Sequence, residues 1–160
     1  MSSSDTSAFA DVVARIDYPM VVVTAPATGC LVGFSTQCSI DPLRYLVCVS
    51  KANHTHDAAM VADTLVVHLL DAEDEQLAAV FGSLTGDVVD KLALVPSTPG
   101  PGGAPVLDTA AAWFAGRVVD RVDLGDHTGV VLEPVAGEVR RWGGQLGYQA
   151  VRSLPPGHPA

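Results

Sequence analysis

The chain has 160 residues, 48% hydrophobic and 17% charged, an ordinary composition for a folded domain. At roughly 150 residues per domain the length predicts one domain, which buries roughly 70% of its unfolded surface without needing disulfides. Eighteen acidic residues against nine basic ones give a formal charge of −9, which excludes the basic footprint of a general nucleic-acid binder and electrostatic adsorption to an anionic membrane.

Phe9, Val12, Val13 and Ile16 recur at helical spacing, so residues 8–16 predict an amphipathic helix capped by Asp5, Thr6 or Ser7. Pro19 ends it. The β-branched run over 21–24 predicts a strand, 26–29 a turn and 30–36 a second strand of the same hairpin. Asp41-Pro42 breaks the chain, and 45–49 is a third apolar strand. Asn53 or Thr55 caps a short helix over 58–62. Residues 65–70 form a strand interrupted by His68. Leu77, Val80 and Phe81 share one face of a helix over 73–81, closed by Gly82. A Pro/Gly loop follows over 96–105. Two long strands over 111–122 and 128–139 are joined at Leu124-Gly125-Asp126-His127. The domain spans 8–152, with flexible tails over 1–7 and 153–160. Many strands and few helices predict a mainly β, antiparallel barrel of about six strands with flanking helices. No GxGxxG joins a strand to a helix, which argues against a Rossmann dinucleotide site.

Cys30, Cys38 and Cys48 cannot all pair within one chain, and none stands in a CxxC motif. They read as buried free thiols of a reducing, cytoplasmic compartment. The Ser-rich start lacks the basic region of a secretory leader, and no apolar run approaches the roughly 20 residues that span a bilayer. His54-x-His56-Asp57 has no third His or Cys close in sequence, so it does not read as a metal site. No GxSxG marks a serine nucleophile. Lys51 and Lys91 are the only lysines. Lys51 precedes a helix start, where free N–H groups favour an anion, and Asn53 and Thr55 add side-chain donors. The competing reading is a solvated lysine beside a cap. His127 sits at the tip of the two long strands, either as a turn residue with Asp126 or as a neutral imidazole at a pocket rim.

The order of motifs is similar to that of the flavin reductase-like family, the FMN-binding split-barrel flavoproteins, from about Tyr18 to Glu138. An opening Pro19-Met-Val-Val-Val-Thr24 precedes Gly33-Phe-Ser-Thr-Gln-Cys-Ser-Ile-Asp-Pro42, whose end resembles the family's S-L-D-P. Asn53-His-Thr-His-Asp57, Asp90-Lys91, Gly102-Gly-Ala-Pro-Val-Leu-Asp108 and Gly125-Asp-His-Thr128 follow in the family's order. The chain departs from it at Gly33-Phe34-Ser35, where many relatives carry Asn-Ser-Phe.

The resemblance implies an FMN-binding split barrel of Greek-key type. It implies FMN or FAD as ligand, NADH or NADPH as electron donor, a homodimer, and reduced flavin supplied to a partner monooxygenase. It places Gly33, Phe34, Ser35, Thr36 and Gln37 along the isoalloxazine edge. It gives Ser50, Lys51, Asn53 and Thr55 to the ribityl phosphate, with Lys91 reaching towards it, and His127 to the nicotinamide side. Backbone N–H groups and Thr36 would stabilise the charge that reduction puts on the ring, the redox chemistry being the cofactor's. The alternatives are a flavin-bound reductase of an organic substrate and a flavin-binding protein without turnover.

Overall fold

Two edge strands that never meet define the architecture. The computed structural model describes residues 3–83 and 90–153. Its main sheet is antiparallel and seven-stranded, with the order β2-β1-β5-β8-β9-β4-β3. The strands are β1 (Val21–Ala25), β2 (Thr28–Val32), β3 (Ser35–Ser39), β4 (Arg44–Ser50), β5 (Thr64–Leu69), β8 (Ala112–Asp123) and β9 (His127–Val139). The edges β2 and β3 are consecutive in the chain, linked only by Gly33-Phe34. The sheet therefore curls into a barrel that stays split where the chain crosses from one edge to the other. A hairpin of β6 (Ser97–Pro99) and β7 (Pro105–Leu107) stands apart.

All five residues of β1 are buried, because apolar material covers both faces. Val21, Val23 and Ala25 point into the barrel with Cys30, Val47, Val49, Leu65, Val67, Val130 and Leu132. Val22 points outward, into a second cluster with Leu70, Leu77, Ala78, Phe81 and Leu107. That cluster seats α3 (Glu75–Ser83) on the sheet. Helix α2 (Thr55–Val61) plugs the barrel with Ala59. Helices α1 (Ser3–Val13) and α4 (Tyr148–Val151) lie towards the two ends of the chain.

Several expectations are corrected in detail. The strand expected over 30–36 is two strands, since the chain leaves β2 at Val32 and pairs with β4 only from Ser35. Helix α1 takes in residues 3–7, which the sequence reading assigns to a tail. Gly82 does not stop α3. A Cβ there would lie 2.7 Å from Leu31 Cδ2, so the glycine serves the close approach of helix to strand. The loop over 96–105 contains most of the β6–β7 hairpin. Of the cysteines only Cys30 is buried; Cys48 is half-buried, and Cys38 is exposed where the β3–β4 register slips. The tail expected to fray over 153–160 lies, after Ser153, outside the described residues. Among the described residues no helix is long and apolar enough to cross a membrane.

Candidate functional site

Where β2 ends and the barrel splits, the outward side chains of β4 and the start of β9 open into a cavity of about 550 Å³. Val47 and Val49 fill the core, so their neighbours Cys48 and Ser50 face the other way and line this cavity. Ser50 pairs with His127 across β4 and β9. The antiparallel ladder thus brings together two residues 77 positions apart in the chain, as counted from their numbers. The rest of the lining is mostly apolar or aromatic, including Met20, Cys30, Leu31, Val32, Gly33, Phe34, Tyr18 and Tyr148, with Phe9 and Val13 from α1.

The polar residues have defined partners. His127 Nδ1 lies 2.7 Å from Asp126 Oδ1, so the carboxylate accepts from Nδ1–H and leaves Nε2 as the second functional nitrogen. That hydrogen bond and the adjacent imidazole hold the Asp126 carboxyl below the usual range. Phe34 packs its ring 5.1 Å from that of His127, and its carbonyl accepts from Cys48 N–H at 2.9 Å. Burial pushes the Cys30 thiol up to about 11 and raises Cys48 as well, which makes both inert as nucleophiles at neutral pH.

Asn53 lines this cavity and also a second, polar concavity of about 470 Å³, bordered by Thr28, Lys51, Ala52, His54 and Asp57. Asn53 Oδ1 accepts from Thr55 N–H at 2.9 Å. The capping position itself is His54, which gives no side-chain cap. Lys51 donates to Asp123 at 2.7 Å, and this bond holds the Asp123 carboxyl low. The structure thus brings Gly33, Phe34, Ser50, Asn53 and His127 into one cavity and sets Lys51 on the concavity that adjoins it.

Five expected residues stand elsewhere. Ser35 turns its hydroxyl to Tyr45 at 2.8 Å. Thr36 and Gln37 bond along β3 itself, exposed on an edge strand and outside the lining of the cavity. Thr55 is fully buried and shares a hydrogen bond with Thr28, because the first turn of α2 seals the barrel end. Lys91 is buried, donates to the Phe81 carbonyl at 2.9 Å, and has its pKa lowered by that burial. It borders a small cavity of about 90 Å³ with Thr28, Gly29 and His54. His56 Nε2 is 2.9 Å from Thr128 Oγ1 and ties α2 to β9.

Sequence reading missed Tyr18, Tyr148 and Cys48 as cavity residues. Tyr148 arrives only because the chain after β9 returns: Met20 N–H donates to Leu146 O, and Tyr148 N–H to Tyr18 O at 2.7 Å. Arg141 anchors that return on the buried carboxylates of Asp71 and Asp74. Burial opposes ionisation of Asp71, but the N–H groups of Gly143 and Glu73 and the Arg141 charge outweigh it and hold its carboxyl low.

The family profile described as flavin reductase like domain matches residues 13–154. The chain belongs to that family. It is 31% identical over 127 residues to an FMN reductase (NADH) of Methylorubrum extorquens, covering 77% of this chain and 62% of that one. It is 27% identical to the 4-hydroxyphenylacetate 3-monooxygenase reductase component of Pseudomonas aeruginosa, over 79% of this chain and 77% of the other. The solved NADH:FAD oxidoreductase of Streptomyces globisporus superposes with a TM-score of 0.77 at 25% identity, covering 92% and 89% of the two chains. The chain spans about half the length of the first curated relatives it matches. The split-barrel expectation holds, with seven strands in the sheet where about six were expected.

Proposed function

We propose that the protein is a nicotinamide-dependent flavin reductase that holds FMN in the cavity at the barrel split. The observation that carries this reading is the junction at Asn53 between a largely apolar cavity and a polar concavity. A flavin has the same two-part chemistry, a flat apolar ring system joined through a polyol to a phosphate. The residues present fit it. Cys30, Val32, Gly33, Cys48 and Phe34 supply the apolar enclosure. Ser50 and Asn53 stand where the polyol would leave it, and Lys51 adds a cation for the phosphate in a protein of formal charge −9. A bound flavin supplies hydride acceptance and electron transfer.

The chain's own groups bind and orient. His127, held by Asp126, is fixed at the cavity wall and positions the nicotinamide. No nucleophile is required, in keeping with the raised pKa of both thiols that face the cavity. The NADH-dependent relatives support NADH as donor, and the monooxygenase reductase component supports a partner monooxygenase as the consumer of reduced flavin.

The protein acts as a homodimer in this reading. Val122 and Leu124 near the β8–β9 turn and Ile40 and Leu43 before β4 are exposed apolar side chains. A two-fold copy is the commonest assembly that would cover such surface. The three free cysteines support a reducing, cytoplasmic setting.

The test is a visible spectrum of the purified protein with added FMN, FAD or riboflavin, followed by NADH and NADPH oxidation with each. Flavin binding with nicotinamide oxidation is expected. Flavin binding without oxidation by either nucleotide would leave a binding protein and refute the enzymatic reading.

A further inference from the structure

Helix α1 borders the cavity with only part of its apolar stripe turned to it. Phe9, Ala10, Val13 and Ala14 belong to the lining. The large apolar residues of the same segment are Phe9, Val12, Val13 and Ile16, at helical spacing. At roughly 100° per residue the two sets are centred about a quarter turn apart around the helix. Two alanines are therefore given to the cavity, while Val12 and Ile16 stay outside its lining. Phe9 is 64% exposed, Val12 62% and Ile16 43%. A stripe that large, left in water beside a mostly apolar cavity, is unfinished packing.

The helix is anchored at its C-terminal end. Gln149 Nε2, from α4, donates to the Ala14 carbonyl at 2.9 Å and to the Ile16 carbonyl at 3.2 Å. Asp17 Oδ1 accepts from Gln149 N–H at 2.9 Å. Gly147 lies so close that an added Cβ would overlap the Asp17 carboxylate. Beyond this clamp, Met20 N–H is bonded to Leu146 O. Between helix and clamp the backbone bonds tighten, Arg15 N–H to Val12 O and Ile16 N–H to Val13 O, the looser geometry of a helix end. A roll of α1 about its axis is absorbed in this short stretch and leaves the sheet undisturbed.

We propose that α1 is a lid that rolls inward on a bound flavin, carries Val12 into the cavity lining and so sets how long the flavin stays. The proposal rests on the flavin-reductase reading and adds the regulation of that same site. A planar ring system gives Phe9 and Val12 an apolar surface to close on, and burial of the stripe drives the closure. Ala10 and Ala14 let the helix come near without a clash. The clamp at Gln149 keeps the lid beside the cavity when it opens, and opening releases the reduced flavin to its consumer.

The test uses the full-length protein with FMN and reads two quantities, hydrogen exchange of the α1 amides and the rate of FMN release in stopped flow. Saturating FMN is expected to slow exchange over α1 by about tenfold or more. Val12→Ser is the decisive variant. Val12 lies outside the lining, so a fixed helix predicts no effect, and Ser and Val have similar helix propensity. The lid predicts FMN release about tenfold faster, the scale of one lost apolar contact, with the association rate within about twofold. Val139→Ser, at a site 75% exposed on β9, changes neither quantity. Release within about twofold of wild type in Val12→Ser, or α1 exchange that ignores FMN, overturns the lid. Protection of α1 that follows protein concentration without FMN means that a second copy covers the stripe, and overturns it as well. Wild-type behaviour separates the two readings. A wild type that binds FMN and oxidises NADH while its α1 exchange ignores FMN overturns the lid alone. A wild type that binds no FMN overturns both.

Discussion

His68 is the buried group whose protonation most directly opposes the fold. It lies fully buried in β5, with Nδ1 2.9 Å from the Val22 carbonyl and Nε2 accepting from Leu107 N–H at 2.9 Å. One nitrogen must donate and the other accept, which is the neutral imidazole; a second proton would set Nε2–H against an N–H donor. Burial lowers the pKa from 6.5 to about 4, with the Arg140 charge assisting and the Val22 hydrogen bond opposing. The folded value lies below the unfolded one. The stabilisation is therefore complete above about pH 6.5 and is lost as pH falls towards about 4. That gap is worth roughly 3 kcal/mol, a sizeable part of a typical domain's stability of about 5–15 kcal/mol. Urea unfolding of wild type and His68→Asn, from about pH 7.5 to about pH 4.5, measures it. Asn keeps a donor and an acceptor but cannot titrate, and carboxylate titration is common to both proteins. The variant is expected to be less stable at neutral pH, with a loss on acidification smaller by roughly 2–3 kcal/mol. Parallel curves for the two proteins would refute the reasoning.

Lys51→Ala is expected to weaken FMN by about 1–2 kcal/mol and riboflavin far less, as for one charge-assisted bond to a phosphate; equal weakening in paired titrations removes the phosphate assignment. Asp123→Asn frees the same ammonium from its 2.7 Å partner and should tighten FMN while leaving riboflavin unchanged; a weaker FMN complex contradicts this. His127→Ala should keep FMN affinity and slow stopped-flow flavin reduction about tenfold or more, roughly 1.4 kcal/mol, with His127→Asn recovering part. An unchanged reduction rate in a folded His127→Ala protein limits His127 to the turn. Sedimentation at about micromolar protein should report a dimer; a monomer with full FMN affinity at that concentration would count against the proposed interface.

Local pattern was enough for much of the framework. The β-branched run over 21–24, the hairpin that follows it and the two long strands around Leu124-Gly125-Asp126-His127 are encoded by neighbours in the chain, because pleat alternation and turn chemistry act over a few residues. Gly33, Phe34, Ser50, Asn53 and His127, which line one cavity, each lie at a strand end or a helix approach, where backbone and side chains are left for a ligand. The placement of the other expected residues is tertiary. Thr55 and Lys91 have the right chemistry for a phosphate, but packing of α2 and α3 buries them and commits them to Thr28 and Phe81. Thr36 and Gln37 lie two and three residues after Phe34, yet on edge strand β3 they fall outside the lining of the cavity. Tyr18 and Tyr148 carry no local signal at all. They meet because the chain after β9 folds back on Arg141 and its two buried carboxylates and pairs with the approach to β1. Sequence by itself determined most of the long strands, though not the division of 30–36 into two strands or the β6–β7 hairpin. Only the closed sheet decided which side chains share the cavity, since that depends on contacts between residues far apart in the chain, which no short-range periodicity records.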